Sequence, residues 1–285
     1  MQPSARGTPW WLWPTVLSLD APAVALLWQR LVAASASIRP TAPEMTVLGC
    51  SVWLAYCADR WIEGWRLMPG EIHTHRHRFH QRWRWPIAAV WAAVLLLDLA
   101  AAFLGLPPEE LRAGALLLLP VAAYLLSHQL IHRTSRWRAP KEACVALLLG
   151  GGAVVFPASR PGGHPAGLVT PLILFVLLCF SNCALISTWE REVDRAHGQT
   201  SLALQFGAAG SLWRALPWVL ALALAGAWHY TGQAYRTAAA CALASSVLLG
   251  AVDLAQARIG RVMARVLADV ALMTPAVALF IAGNP

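Results

Sequence analysis

Between residues 12 and 282 the chain is a succession of apolar runs separated by short polar connections. A helix crossing a bilayer needs roughly 20 apolar residues at a rise of about 1.5 Å each. By that measure nine spans are expected. The first lies within 12–37, interrupted by Asp20, Gln29 and Arg30. The others cover about 44–60, 86–105, 113–132, 142–157, 168–189, 211–230, 233–252 and 262–282. Pro107-Pro108 and the stretch FPASRPGGHPAG over 156–167 supply turn residues between spans. No soluble domain, low-complexity tail or short repeat interrupts this pattern. The expectation is a single all-α integral membrane domain over 1–285, a polytopic bundle of about nine transmembrane helices.

Charge orients that bundle. With the N-terminus and the loops after the second, fourth, sixth and eighth spans on one side, 17 of the 22 Lys and Arg residues share that side. Only Arg39, Arg112, Arg160 and Arg236 fall on the other, and Arg30 lies within a span. Cytoplasmic loops carry the excess of Lys and Arg, so the richer side is read as cytoplasmic. An eight-span arrangement scrambles this asymmetry.

Composition agrees. The 285 residues are 58% hydrophobic and 13% charged, with mean hydropathy +0.54. A soluble domain carries about 25% charged residues. The net charge of +8 is therefore read as cytoplasmic loops of a multi-pass protein, with no nucleic-acid partner expected. The six cysteines sit in or beside apolar runs without a CxxC spacing and read as small buried residues. No cleavable signal peptide is evident, and most of the 15 tryptophans stand near span ends, where interfacial anchoring accounts for them.

Two acidic pairs break the apolar logic. Asp59 and Glu63 close the second expected span, and Glu190 and Asp194 close the sixth. Residues four apart on a helix share a face, so each pair presents two carboxylates side by side. Ionisable groups at such positions are costly and point to function. The topology brings both pairs to the same, cytoplasmic face.

Carboxylates supply oxygen ligands for Mg²⁺, which typically takes one or two of them together with substrate phosphates. Basic side chains then hold the remaining phosphate oxygens. A diphosphate with a hydrocarbon tail would set its head at such a mouth and its tail among the helices. Asp59, Glu63, Glu190 and Asp194 are the candidate metal-binding and catalytic residues. Arg66, Arg78, Arg133, Lys141 and Arg195 are candidates for the diphosphate, with plain topology-setting charge as the alternative for each arginine. Asn182, eight residues before Glu190, points to the same side, either into a cavity or into an interhelical hydrogen bond.

At these residues the chain resembles the UbiA superfamily of membrane prenyltransferases. That family has nine transmembrane helices and two Asp-rich motifs near the ends of helices 2 and 6. The second motif, DxxxD with a following basic residue, a Gly and a Thr-Leu, is met here by Glu190, Asp194, Arg195, Gly198, Ser201 and Leu202. The first, NDxxDxxxD, is reduced to Asp59 and Glu63, with Ala55 and Tyr56 in place of Asn and Asp. His128 and His132 fall loosely where the family has a Tyr-to-Lys motif. The resemblance implies Mg²⁺-dependent transfer of a prenyl group from a prenyl diphosphate to a lipophilic, possibly aromatic, acceptor within the membrane. The thin first motif leaves a second reading open: a non-catalytic membrane protein of the same fold that binds isoprenoid lipid.

Other chemistries fit less well. The loop GEIHTHRHRFHQRWRW carries His73, His75, His77 and His80 among arginines. No cysteine or acidic partner stands at a tight zinc-site spacing, and contact with diphosphate or anionic headgroups is the simpler reading. A transporter would call for paired broken helices, and an alcohol-phosphate transferase for a DGxxAR-like string. Neither occurs.

Overall fold

A computed structural model describes residues 8–66, 75–127, 140–160, 166–196 and 200–281, with the side chains of 63–66, 75–77 and Ala208 outside the description. The described residues are helices joined by short connections, with no strand among them. In chain order the helices are α1 (Trp13–Val16), α2 (Asp20–Ser35), α3 (Ala42–Arg66), α4 (His75–Arg82), α5 (Arg84–Gly105), α6 (Pro108–Leu126) and α7 (Lys141–Ser159). There follow α8 (Ala166–Trp189), α9 (Arg191–Ala196), α10 (Leu202–Gln205), α11 (Gly210–Gly226), α12 (Arg236–Ile259), α13 (Arg261–Ala271) and α14 (Pro275–Ile281).

Each expected span meets a helical segment, yet fewer meet the full requirement of length and apolarity. Among the described residues α5, α7, α8, α12 with its leading turn, and the run from α13 through α14 are long and apolar enough to cross a membrane. A sixth appears if Trp10–Val16 and α2, bent by 74°, count as one broken span. The remainder fall short for visible reasons: α3 carries several charged residues, α6 begins Pro-Glu-Glu, and α11 has 17 residues.

The break between α1 and α2 has a local cause. Ser18 takes φ 60°, a left-handed conformation that stops the helix. Arg60, buried on α3, donates to Ser18 Oγ at 2.8 Å and to the Thr15 carbonyl, spanning the bend. An arginine counted above as topology-setting charge thus holds two helix ends together. Helix α3 starts on a reciprocal cap, in which Glu44 accepts from the Thr41 N–H at 2.8 Å and donates its own N–H to Thr41 Oγ1 at 3.4 Å. At the other end of the molecule's sequence, Gly260 with φ 83° turns α12 into α13.

The core lies between α2, α7, α8, α12 and α13. Trp28 stacks on Phe175 at 4.8 Å and donates to the Leu272 carbonyl at 2.8 Å, so the largest core side chain leaves no buried polar atom unpaired. Outward faces are apolar instead of polar: Leu104 and Leu96 of α5 are 88% and 67% exposed. A protein whose outer surface carries so many large aliphatic groups is solvated by lipid, not water.

Candidate functional site

The helix that delivers the second acidic pair does not simply run on. It breaks between α8 and α9, but Glu190 N–H bonds to the Ile186 carbonyl at 2.9 Å and Asp194 N–H to the Glu190 carbonyl at 2.8 Å. The helical register therefore survives the break and keeps the two carboxylates on one face. Trp189 Nε1 donates to Asp253 Oδ1 at 2.8 Å and anchors this corner to α12. Beyond it, the Leu202 N–H donates to Glu142 Oε1 at 3.0 Å, pinning the Ser201-Leu202 end of the motif to the first turn of α7.

These elements enclose a polar cavity of about 180 Å³. Asp59 from α3, Glu190, and Asp194 from α9 all line it, so three of the four carboxylates expected from the sequence converge from distant parts of the chain. Glu63 belongs to α3, but its side chain lies outside the described residues. Lys141 lines the cavity as well, its Nζ 3.8 Å from Asp194 Oδ1. Asn182 lines it and also donates to Asp269 Oδ1 at 3.1 Å, so cavity lining and interhelical bonding are both realised. Arg78 and Arg195 are exposed and stand apart from the cavity wall. Arg133, Gly198, His73, His128 and His132 lie outside the described residues, as does the side chain of Arg66.

The site also contains groups the sequence reading did not assign to it. Asp20, Arg60, Glu142, Arg265 and Asp269 line the same cavity. Arg265 Nη1 donates to Glu190 Oε2 at 2.5 Å, and Asp20 and Asp269 both face the cavity from α2 and α13. The missed signal was the four-residue spacing of Arg265 and Asp269, which places both on one face of α13 just as in the acidic pairs. Of the four histidines in the His-rich segment, His80 is buried with its Nε2 3.9 Å from Cys57 Sγ, and the side chains of His73, His75 and His77 lie outside the described residues. Among the described residues no group of three or more His, Cys, Asp or Glu side chains is close enough to hold a metal ion.

A second, apolar cavity of about 290 Å³ lies between α3, α5, α6 and α7. It shares Tyr56, Asp59, Tyr124, Val145 and Leu149 with the polar one, so the two form neighbouring chambers with a common wall. Of the two residues that stand where the resembled motif has Asn and Asp, Tyr56 lines both chambers and Ala55 lines the apolar one.

The donor set bears on magnesium. Oxygen donors from Asp59, Glu190 and Asp194 suit a hard cation, and Mg²⁺ arriving with a diphosphate draws only one or two ligands from protein. The residues present therefore fit a metal–diphosphate complex better than a bare metal ion held by the protein alone.

No family model matches this chain, and no curated protein sequence matches it. Among solved structures, the apo structure of a UbiA homolog from Aeropyrum pernix K1 is similar over 93% of this chain and 98% of its own, with a TM-score of 0.58 and 18% identity. The chain has the all-helical fold of that UbiA homolog.

Proposed function

We propose that this protein is a membrane prenyltransferase that moves a prenyl group from a prenyl diphosphate to a lipophilic acceptor with Mg²⁺. The observation that carries the reading is the convergence of Asp59, Glu190 and Asp194 on a polar cavity that shares a wall with an apolar one. An amphipathic substrate matches that pair of chambers: a diphosphate head in the first, a hydrocarbon in the second. By the charge asymmetry of its loops, the acidic end faces the cytoplasm.

Asp59, Glu190 and Asp194, with Glu63, would hold the metal. Bound Mg²⁺ supplies neutralisation of the charge that builds on a departing diphosphate. Lys141, Arg60 and Arg265 add fixed positive charge around the same cavity, which favours breakage of the allylic carbon–oxygen bond. Tyr56 and Tyr124 line both chambers, where the carbon between head and tail would lie, and their ring faces can stabilise positive charge developing there. The acceptor's nucleophilic atom then takes the prenyl group and loses its proton.

One observation favours a second reading, a lipid-binding protein of the same fold without turnover. Glu190 is already bound by Arg265, and Asp194 lies beside Lys141, so two expected metal ligands have protein cations as partners. The discriminating experiment incubates purified protein with radiolabelled prenyl diphosphates and a lipid extract, with and without Mg²⁺. The transferase reading expects Mg²⁺-dependent labelling of lipid that Asp194→Asn abolishes. Activity retained in that variant would sink it. Absence of Mg²⁺-dependent diphosphate binding in calorimetry would favour the second reading.

A further inference from the structure

At the end of the bundle that carries the second acidic pair, α8, α11 and α12 meet at an outer corner. Asp253 ties them together: its Oδ1 accepts from Trp189 Nε1 at 2.8 Å and lies 3.6 Å from Arg214 Nε. Arg261, at the start of α13, reaches Glu192 of α9 at 3.8 Å, and Arg191 lies over Gly207, ahead of α11. Arg191, Arg195, Arg214, Arg258 and Arg261 are all exposed. Asp253 is buried and Glu192 stands out in solvent, so the outer surface of the corner is basic. Large aliphatic side chains continue that surface. Leu212 is 63% exposed two residues before Arg214, and Leu254, 72% exposed, stands one turn before Arg258 on the same face of α12. Ile259 and Val262 are exposed beside Arg258 and Arg261.

We propose that this corner binds an anionic phospholipid of the bilayer, its phosphate held by Arg214, Arg258 and Arg261 and its acyl chains laid along Leu212, Leu254 and Val262. Guanidinium groups donate in a planar fork that matches phosphate oxygens, and basic pockets between membrane helices collect such headgroups. The contacts that Arg214 and Arg261 make with acids, at 3.6 and 3.8 Å, are long and half-exposed, so they yield to a phosphate at little cost. Charge that only orients a chain in the membrane needs no aliphatic neighbours. A soluble phosphate would engage the arginines alone, and a zwitterionic headgroup would bring a cation to a surface already positive. An anionic headgroup with hydrocarbon attached matches both kinds of side chain. The proposal concerns the outer surface and stands whether or not the chain transfers prenyl groups.

The test uses full-length protein in dodecyl maltoside, without Mg²⁺ or prenyl diphosphate, so that it is independent of turnover. Dioleoyl phosphatidylglycerol, dioleoyl phosphatidylcholine and soluble glycerol phosphate are titrated in turn, with bound ligand counted by native mass spectrometry and the unfolding midpoint followed in parallel. Phosphatidylglycerol is expected to bind about tenfold more tightly than phosphatidylcholine and to raise the midpoint, whereas glycerol phosphate leaves it unchanged. Arg258→Gln with Arg261→Gln, which keeps the contact between Arg214 and Asp253, is expected to bring phosphatidylglycerol within about threefold of phosphatidylcholine. Arg78→Gln with Arg82→Gln removes the same charge from α4 and should keep the preference. Equal binding of the two lipids by wild type would overturn the proposal without recourse to any variant. So would glycerol phosphate that binds as tightly as phosphatidylglycerol, which would assign the arginines to a free phosphate. An unchanged preference in the Arg258 and Arg261 variant would overturn it too, as would an equal loss in the α4 variant, which would reduce the effect to net charge.

Discussion

Arg265 of α13 and Glu190 at the end of α8 form a charge-assisted hydrogen bond of 2.5 Å between residues 75 apart in sequence. Their side chains are 20% and 16% exposed, so the pair is largely shielded from water. It closes the corner of the bundle on which the polar cavity depends, and it balances the charge of a carboxylate expected to meet metal. Structure and chemistry therefore draw on the same side chain, and substitution can separate them.

Arg265→Met leaves Glu190 shielded without its cation and is expected to cost roughly 3 kcal/mol, read as a fall in the detergent-solubilised protein's unfolding midpoint. Replacing both residues, as in Glu190→Leu with Arg265→Met, should restore most of that stability, because apolar pairs of similar volume often substitute for buried ion pairs. Prenyl transfer should remain lost in the double variant. Recovery of stability together with activity would show that Glu190 is structural only.

Val145 lines both chambers at their junction. Val145→Trp should narrow that passage and discriminate by chain length. Short prenyl diphosphates are expected to remain substrates, whereas longer ones lose roughly 100-fold in kcat/KM as the tail is displaced. A uniform loss across chain lengths would argue against passage of the tail through this junction.

On the opposite face, Arg160 donates to Glu44 Oε1 through Nη2 at 2.6 Å and lies 3.5 Å from Glu110. Glu44 is fully buried and Glu110 nearly so. Arg160→Met should therefore destabilise by about 3–5 kcal/mol, the effect of leaving buried carboxylates without their cation. Arg160→Lys restores charge but not the two-pronged contact, and its unfolding midpoint should fall in between.

Helices α7 and α8 approach closely at Gly150, where an added Cβ would lie 2.4 Å from Val176 Cγ2. Gly150→Ala is expected to cost about 1–3 kcal/mol through overpacking. Combined with Val176→Ala it should recover much of that loss, a coupling that a double-mutant cycle on unfolding midpoints would measure. Simple additivity would place the Gly150 effect elsewhere.

Much of the fold was legible in sequence because lipid imposes one-dimensional rules. A bilayer requires long apolar helices, and such runs are visible without knowledge of their neighbours. The four-residue spacing of Glu190 and Asp194 was equally readable, since helical register alone puts them on one face. Local features without a compositional mark were not readable. The bend before α2 depends on Ser18 and on an arginine 42 residues away, and α6 and α11 only approximate full spans.

That the protein is a helical membrane bundle, and which residues pair along each helix, can be read from the order of residues alone, because both follow from backbone periodicity and the cost of polar groups in lipid. Which cations and carboxylates share a wall follows instead from the packing of the folded chain. It drew Arg60 away from the role of loop charge and Arg265 toward Glu190, and it placed Asp98 beside Ser51 on the wall of the larger chamber. These contacts join residues 42, 75 and 47 positions apart. No local pattern specifies them, since partner choice is set by how whole helices pack.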